Sequence, residues 1–454
     1  MTQVAESLDR YFAELDRADS LQAPAWLKRG RQQARDRFRS LGFPTQNDEE
    51  WRLTSVAPIA EGNFVPAIDG KGSLSTADLA LYRLTDLASA ELVFVNGRYA
   101  PELSKFGALS RGLRVENLAS ELTTDVGVET YLTQVAPFER QAFTALNTAL
   151  FADGAFLYVP PGDVVEAPIH VMFVSTDEGR PTMAHPRVLV VIGENAKASV
   201  IESYVGPGGA RYFTNAVTEI VVGEHGSLDH YKIQRESLHA YHVATMQVLQ
   251  KRNARFQSHS VSFGGSIVRN DIVAVLDGEG VECTLNGLYL GDGRRVVDNH
   301  TTIDHAKPHC GSREIYKGIL ADHARAVFNG KIIVRPDAQK TDAKQTNKAL
   351  LLSEDATINT KPQLEIFAND VKCTHGAAVG QMDDEAIFYL RARGLGLNEA
   401  RNLLVHAFAG DVLNRMPLEA LRTRVEGVLL QLLPGSGTGL RVNPGRDPSP
   451  EGRP

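Results

Sequence analysis

The chain has 454 residues, 43% of them apolar and 23% charged, with a formal net charge of −7. That length fits about three average domains, or fewer if one β-domain is long, and the composition supports a sizeable core. The acidic balance argues against nucleic acid or an anionic membrane as the main partner.

The opening stretch, as far as Ala60, reads as two amphipathic helices. Val4, Leu8, Tyr11 and Leu15 follow the helical period, as do Leu27, Ala34, Phe38 and Leu41. Pro24 sits where a first turn tolerates proline, and Gly42-Phe43-Pro44 is a stop. Residues 60–125 are mixed, with a hairpin expected at Asn96-Gly97, which supplies the positive φ angles of a tight turn. A helical stretch is expected over 128–151.

From residue 155 to 380 the chain changes character. Short β-rich runs such as "RVLVVIG", "AVTEIVVGEHG" and "VECTLNGLYLG" follow one another, punctuated by Gly, Asn and Asp. Near the end of this region the runs start at Ala349, Ala356, Leu364 and Val371, at short and nearly even steps. Regular short strands suit a sandwich or a solenoid, and the length favours the solenoid, because coils grow by addition. No strict repeat is visible, so irregular coils are expected.

Helices return afterwards. Asp383 or Asp384 caps one that stops at Gly394, Asn398 caps a second, and Pro417 opens a third. In the third, Leu418, Leu421, Val425, Val428 and Leu432 form one apolar stripe that reads as a packing face. The last stretch, 434–454, holds five Pro and five Gly and reads as a disordered tail. The expected division is an N-terminal helical and mixed α/β region (1–150), a β-helix core (151–382), a C-terminal helical subdomain (383–433) and the tail (434–454).

The N-terminus carries acids early and no apolar h-region, so no secretory signal is read, and no apolar run is long enough to read as a membrane span. Three cysteines without a CxxC pair point to reduced thiols in the cytoplasm. The absence of a GxxxxGK[ST] loop predicts that the chain does not hydrolyse ATP by itself.

Two stretches could carry chemistry. In "EIFANDVKCTHGAAVG" (365–380), Cys373 and His375 are two apart, so on a strand they share a face about 6.5 to 7 Å apart. Thiolate and imidazole suit zinc or iron–sulfur chemistry, yet two ligands do not make a site, and a core or capping role stays open. In "DNHTTIDHAKPHC" (298–310), His300, Thr302 and Asp304 would share a strand face, while Pro308 spoils a helical His305/His309 pair. Polar turn and surface roles outweigh a metal role there. Cys283 alternates with Val281 and Leu285 and reads as an inward core thiol. No oxyanion hole or orienting acid marks a Cys–His nucleophile.

Four longer stretches carry a resemblance: "DEEWRLT" (48–54), "LNTALFADGAFLYVPPGDVVEAPIHVMF" (146–173), "RAVFNGKIIVRPDAQKTDAKQTNKALLLS" (325–353) and "NTKPQLEIFANDVKCTHGAAVGQMDDEAIFYLRARGL" (359–395). Together they resemble the SufD family of subunits of the Suf (SufBCD) iron–sulfur cluster assembly scaffold. The Cys-x-His-Gly of 373–376 matches the SufD pattern, where the paralogous SufB pattern has a Glu-His-Glu-Ala type sequence. The resemblance implies a mainly β fold, a right-handed parallel β-helix flanked by N-terminal and C-terminal helical subdomains. It implies a non-catalytic scaffold that pairs with SufB along the β-helix and binds the SufC ATPase through 383–433. The chain alone could form a homodimer. His375, with Cys373 beside it, would lie at the SufB–SufD interface, where a transient iron–sulfur cluster forms. Reduced flavin is associated with such complexes. The resemblance gives no role to His300, His305 or Cys310. Two alternatives are a structural SufD homodimer without a ligand role and a β-helix enzyme acting on polysaccharides.

Overall fold

The computed structural model describes residues 23–67, 74–84, 86–122, 126–176, 179–206 and 209–433. In chain order the main elements begin with α1 (Ala25–Leu41), β1 (Ala90–Val95) and α2 (Ala142–Leu150). Then follow β2 (Gly154–Val159), β3 (Ile169–Val174), β4 (Arg187–Ile192), β5 (Lys197–Val205), β6 (Tyr212–Val222), β7 (Ser227–Arg235), β8 (Tyr241–Gln250) and β9 (Arg255–Ser262). The array continues with β10 (Ile267–Leu276), β11 (Glu282–Gly291), β12 (Val296–His305), β13 (Gly311–Leu320), β14 (Arg325–Val334), β15 (Asp342–Leu351), β16 (Thr357–Ile366) and β17 (Lys372–Gln381). Three helices close the described chain: α3 (Asp384–Ala392), α4 (Leu397–Leu413) and α5 (Glu419–Leu432).

Even-numbered strands β2 to β16 pair in parallel into one sheet, and odd-numbered β1 and β3 to β17 into a second. Each coil thus gives one strand to each sheet, which is a parallel β-solenoid. The step from coil to coil is not constant: Tyr241 faces Ile267, whereas Gly154 faces Arg187 across a longer loop of chain. This variable step is why no strict repeat shows in the sequence.

One row of turns stacks along the solenoid. Asn195, His225, Asn253, Gly280, His309 and Lys340 all have φ between 54 and 71°. Each donates its backbone N–H to a carbonyl of the following coil, from Asn195 to Glu224 at 2.9 Å through to Lys340 to Asp370 at 2.6 Å. A left-handed conformation costs a non-glycine residue roughly 1–2 kcal/mol, and these repeated hydrogen bonds offset it.

Between the sheets the lining is apolar at one side and polar along a seam. Val200, Leu228, Phe256, Cys283, Leu285 and Phe328 belong to the main core. Beside them lie buried Glu202, His230, Lys232, Asn270, Asn299, Glu314 and Gln345. The outer face of the odd sheet is covered by α4 and α5, where Leu421, Val425 and Leu429 meet Tyr231, Val261, Leu288 and Ile319. The outer face of the even sheet is covered by the N-terminal region, where Phe38, Phe43 and Phe143 meet Phe213 and Val243. The expected apolar stripe of the last helix is therefore a packing face.

Several expectations are corrected. Strand starts fall at 342, 357 and 372, about twice as far apart as the runs in the sequence. Polar residues and Pro362 in mid-strand make one long strand read as two short runs. Pro362 is tolerated because β16 is an edge strand, bonded to β14 on one side only among the described strands. The helix expected over 128–151 is two, Val126–Tyr131 and α2, with the second almost wholly buried. Helix α4 starts at Leu397, so Asn398 lies inside it, and Glu399 accepts the backbone N–H of Gly396 instead.

Other expectations hold. Asp383 caps α3 by accepting from Glu385 N, and Gly394 follows it at φ 94°. Asn96 and Gly97 form the hairpin turn at φ 50 and 80°, joining β1 to Arg98–Tyr99. Leu27, Ala34 and Phe38 are buried on α1, while Leu41 is exposed. Val4 to Leu15 and the tail lie outside the described residues.

Candidate functional site

In a parallel stack, side chains of one row point the same way in every coil. The inner row that begins Val200, His230, Ser258, Leu285 continues through Glu314 and Gln345 to His375. The neighbouring row runs Phe256, Cys283, Ser312, Ala343, Cys373. On β15 the inward residues Ala343, Gln345, Asn347 and Ala349 are all buried. One coil later Cys373 is half-buried, and His375, Ala377 and Val379 are exposed. The stack ends at β16 and β17, each bonded on one side only among the described strands, so an inner face comes into reach of solvent.

Cys373 packs beside Leu364 and Val371 on a small cluster around Val334 and Ala343. Burial, helped by the nearby Asp342 carboxylate, pushes its thiol above the ordinary cysteine range. A metal bound there would have to displace that proton. Among the described residues, no group of three or more His, Cys, Asp or Glu is arranged to hold a metal ion. Cys373 and His375 are thus brought onto one face without further ligands among the described residues.

The 298–310 stretch is dispersed among structural roles. His300, Thr302 and Asp304 do share the outer face of β12. His300 bonds Asp298 Oδ1 at 3.0 Å and Glu50 Oε2 at 3.1 Å. Burial opposes its charge, but the two carboxylates prevail and raise its pKa. Asp298 also accepts from Arg269 at 2.6 Å and from Thr54 Oγ1 at 2.6 Å. Burial works to raise its carboxyl, but Arg269 and His300 hold it down at about 2. Arg269 in turn lies 4.3 Å from the centroid of the Trp51 ring and donates to Glu50 O. The "DEEWRLT" segment is therefore the latch that fixes the N-terminal region to the even sheet. No local pattern in 298–310 signals this, since its partners Glu50 and Thr54 come from the other end of the chain.

His305, expected at a turn or surface, is instead buried, bonded to Ser312 Oγ at 2.9 Å, and lowered to about 4 by burial. His309 occupies the stacked left-handed turn and is exposed. Cys310 is buried with its thiol on Gly278 O at 3.2 Å. Cys283 is an inward core thiol as expected, kept protonated by burial.

A second surface belongs to the closing helices. While one side of α4 and α5 packs on the solenoid, Phe388 and Tyr389 of α3 are 75% and 57% exposed, and Leu403 and Leu430 are also exposed. No described helix is long and apolar enough to cross a membrane.

Comparison with known proteins decides the family. Residues 173–408 match the SUF system FeS cluster assembly, SufBD core domain, and residues 2–171 match the SufBD protein N-terminal region. The chain belongs to the SufBD family. The iron–sulfur cluster assembly protein SufD of Escherichia coli is 34% identical over 401 residues, covering 87% of this chain and 90% of that one. A SufBD family protein of Synechocystis is 36% identical over 406 residues, covering 87% and 88%. SufD of Bacillus subtilis is 25% identical over 427 residues, covering 90% and 94%. This SufBD chain is therefore an iron–sulfur cluster assembly protein, and its solenoid and flanking helices fit the fold the resemblance implies.

Proposed function

We propose that this chain is a non-catalytic scaffold subunit in which His375, with Cys373 beside it, forms half of an intersubunit site for a nascent iron–sulfur cluster. The observation that carries the reading is the open end of the solenoid: two ligands on an inner face, at a strand edge unpaired among the described strands, with too few partners among the described residues. Neutral imidazole is a competent iron ligand near neutral pH, and a cluster needs further ligands that a second chain would bring. An unpaired β-edge is a template for another chain. A SufB-type paralogue is the occupant the resemblance implies, and a second copy of this chain is the alternative.

The C-terminal helices, 383–433, carry the contact with a SufC-type ATPase in this reading, supported by the exposed Phe388 and Tyr389. Both α4 and α5 rest on the outer face of the odd sheet, the sheet that ends in β17. A pull on these helices during nucleotide binding would reach the terminal coil through that shared packing and open the interface to iron. For a reduced flavin, a cleft of about 440 Å³ lies beside Trp51, but Arg269 and Phe143 already pack on that ring.

Val379 is 48% exposed on the edge strand β17, and Lys at such a position opposes strand pairing. Val379→Lys is expected to leave the melting temperature within a few degrees while abolishing co-purification with the SufB-type subunit. Undiminished co-purification would contradict pairing through this edge. A wild-type chain that only self-associates in the presence of that subunit would favour the homodimer.

A further inference from the structure

Gln345 stands one rung inside His375, with their Cα atoms paired in register between β15 and β17. Parallel strands lie about 4.8 Å apart, so two side chains on one row are stacked neighbours. Gln345 is 1% exposed, and its amide is held from behind: Nε2 donates to Glu314 Oε2 at 2.7 Å. Its Oε1 is buried with no hydrogen-bond partner among the described residues. Buried amide oxygens are rarely left so, and an orphan acceptor next to a functional rung calls for a donor. Room for the amide comes from Gly330 on the facing sheet, where an added Cβ would fall 2.2 Å from Gln345 Nε2.

We infer that Gln345 is a positioning residue for His375, accepting one imidazole N–H so that the other ring nitrogen is presented to iron. Glu314 accepts from the amide nitrogen, which leaves the amide oxygen as the acceptor without a partner among the described residues, one rung from His375. A backing acceptor of this kind fixes the tautomer and ring plane of a metal-binding histidine. The inference rests on the reading of His375 as an iron ligand, but its first test does not.

The full chain labelled with ¹⁵N-histidine, with the His375 signal identified by its loss in His375→Ala, reports the ring tautomer by long-range ¹H–¹⁵N correlation. Wild type should show one dominant tautomer for neutral His375. Gln345→Met, close in shape but without an acceptor, should show both, and Gln345→Glu should keep one. A Met variant with the wild-type tautomer, or a Glu variant with the mixture, overturns the inference; should the Met variant fail to fold, the Glu variant alone decides. In the assembled complex, Gln345→Met should weaken iron retention ~10–100-fold. A tautomer change in Gln345→Met together with unchanged cluster formation in His375→Ala would overturn the iron role and leave the hydrogen bond standing.

Discussion

Glu314 is enclosed between the sheets at the rung before Gln345, and burial pushes its carboxyl from 4.5 up to about 7. The folded chain therefore holds a proton that an unfolded chain releases above its ordinary carboxyl range. The resulting stability is complete below about pH 4.5 and is lost as pH rises through about 7, a span worth roughly 3 kcal/mol. Glu314→Gln, which keeps an acceptor for Gln345, should lose less melting temperature than wild type between pH 5 and pH 8. Thermal unfolding at the two pH values checks this, and equal losses in both proteins would refute it. At this scale the sequence was legible where alternation alone decides, as at Cys283. It was not legible at His305, whose inward direction depends on the strand's register. Nor was it legible at Arg269 and Asp298, whose latch to Trp51 and Thr54 joins segments far apart in the chain.

Neighbouring strands β11 and β13 interlock through two glycine–tyrosine pairs. Gly287 faces Tyr316 and Gly318 faces Tyr289 in register, and each ring lies where a Cβ on the glycine would be, 2.2 and 2.3 Å from the nearest ring atom. Both tyrosines are buried. Gly318→Ala should destabilise the chain by about 1–3 kcal/mol through overpacking, measured by denaturant unfolding, and a neutral effect would show that the ring can shift freely. The existence of such strands was readable from β-rich runs broken by Gly, Asn and Asp. Their length was not, because a strand of either sheet near the open end carries polar inward residues such as Gln345 and Asn347. Those break the apolar alternation in the middle of β15, as Pro362 does in β16.

Among the described residues, the chain is a stack capped by packed elements at its N-terminal side and left open at the coil that carries Cys373 and His375. The parallel solenoid could be argued from length and strand spacing, and the helices on its flanks from period and caps. The site could be glimpsed only as an incomplete pair, since side chains that would complete it do not come from the described residues of this chain. The central claim is that His375 supplies half of a shared cluster site. Its most direct test is anaerobic reconstitution of the complex with SufB-type and SufC-type subunits, comparing wild type with His375→Ala by the visible absorbance of the cluster and bound iron. The account predicts an intact complex with cluster formation reduced at least tenfold; an intact variant complex that assembles cluster at the wild-type level would contradict it.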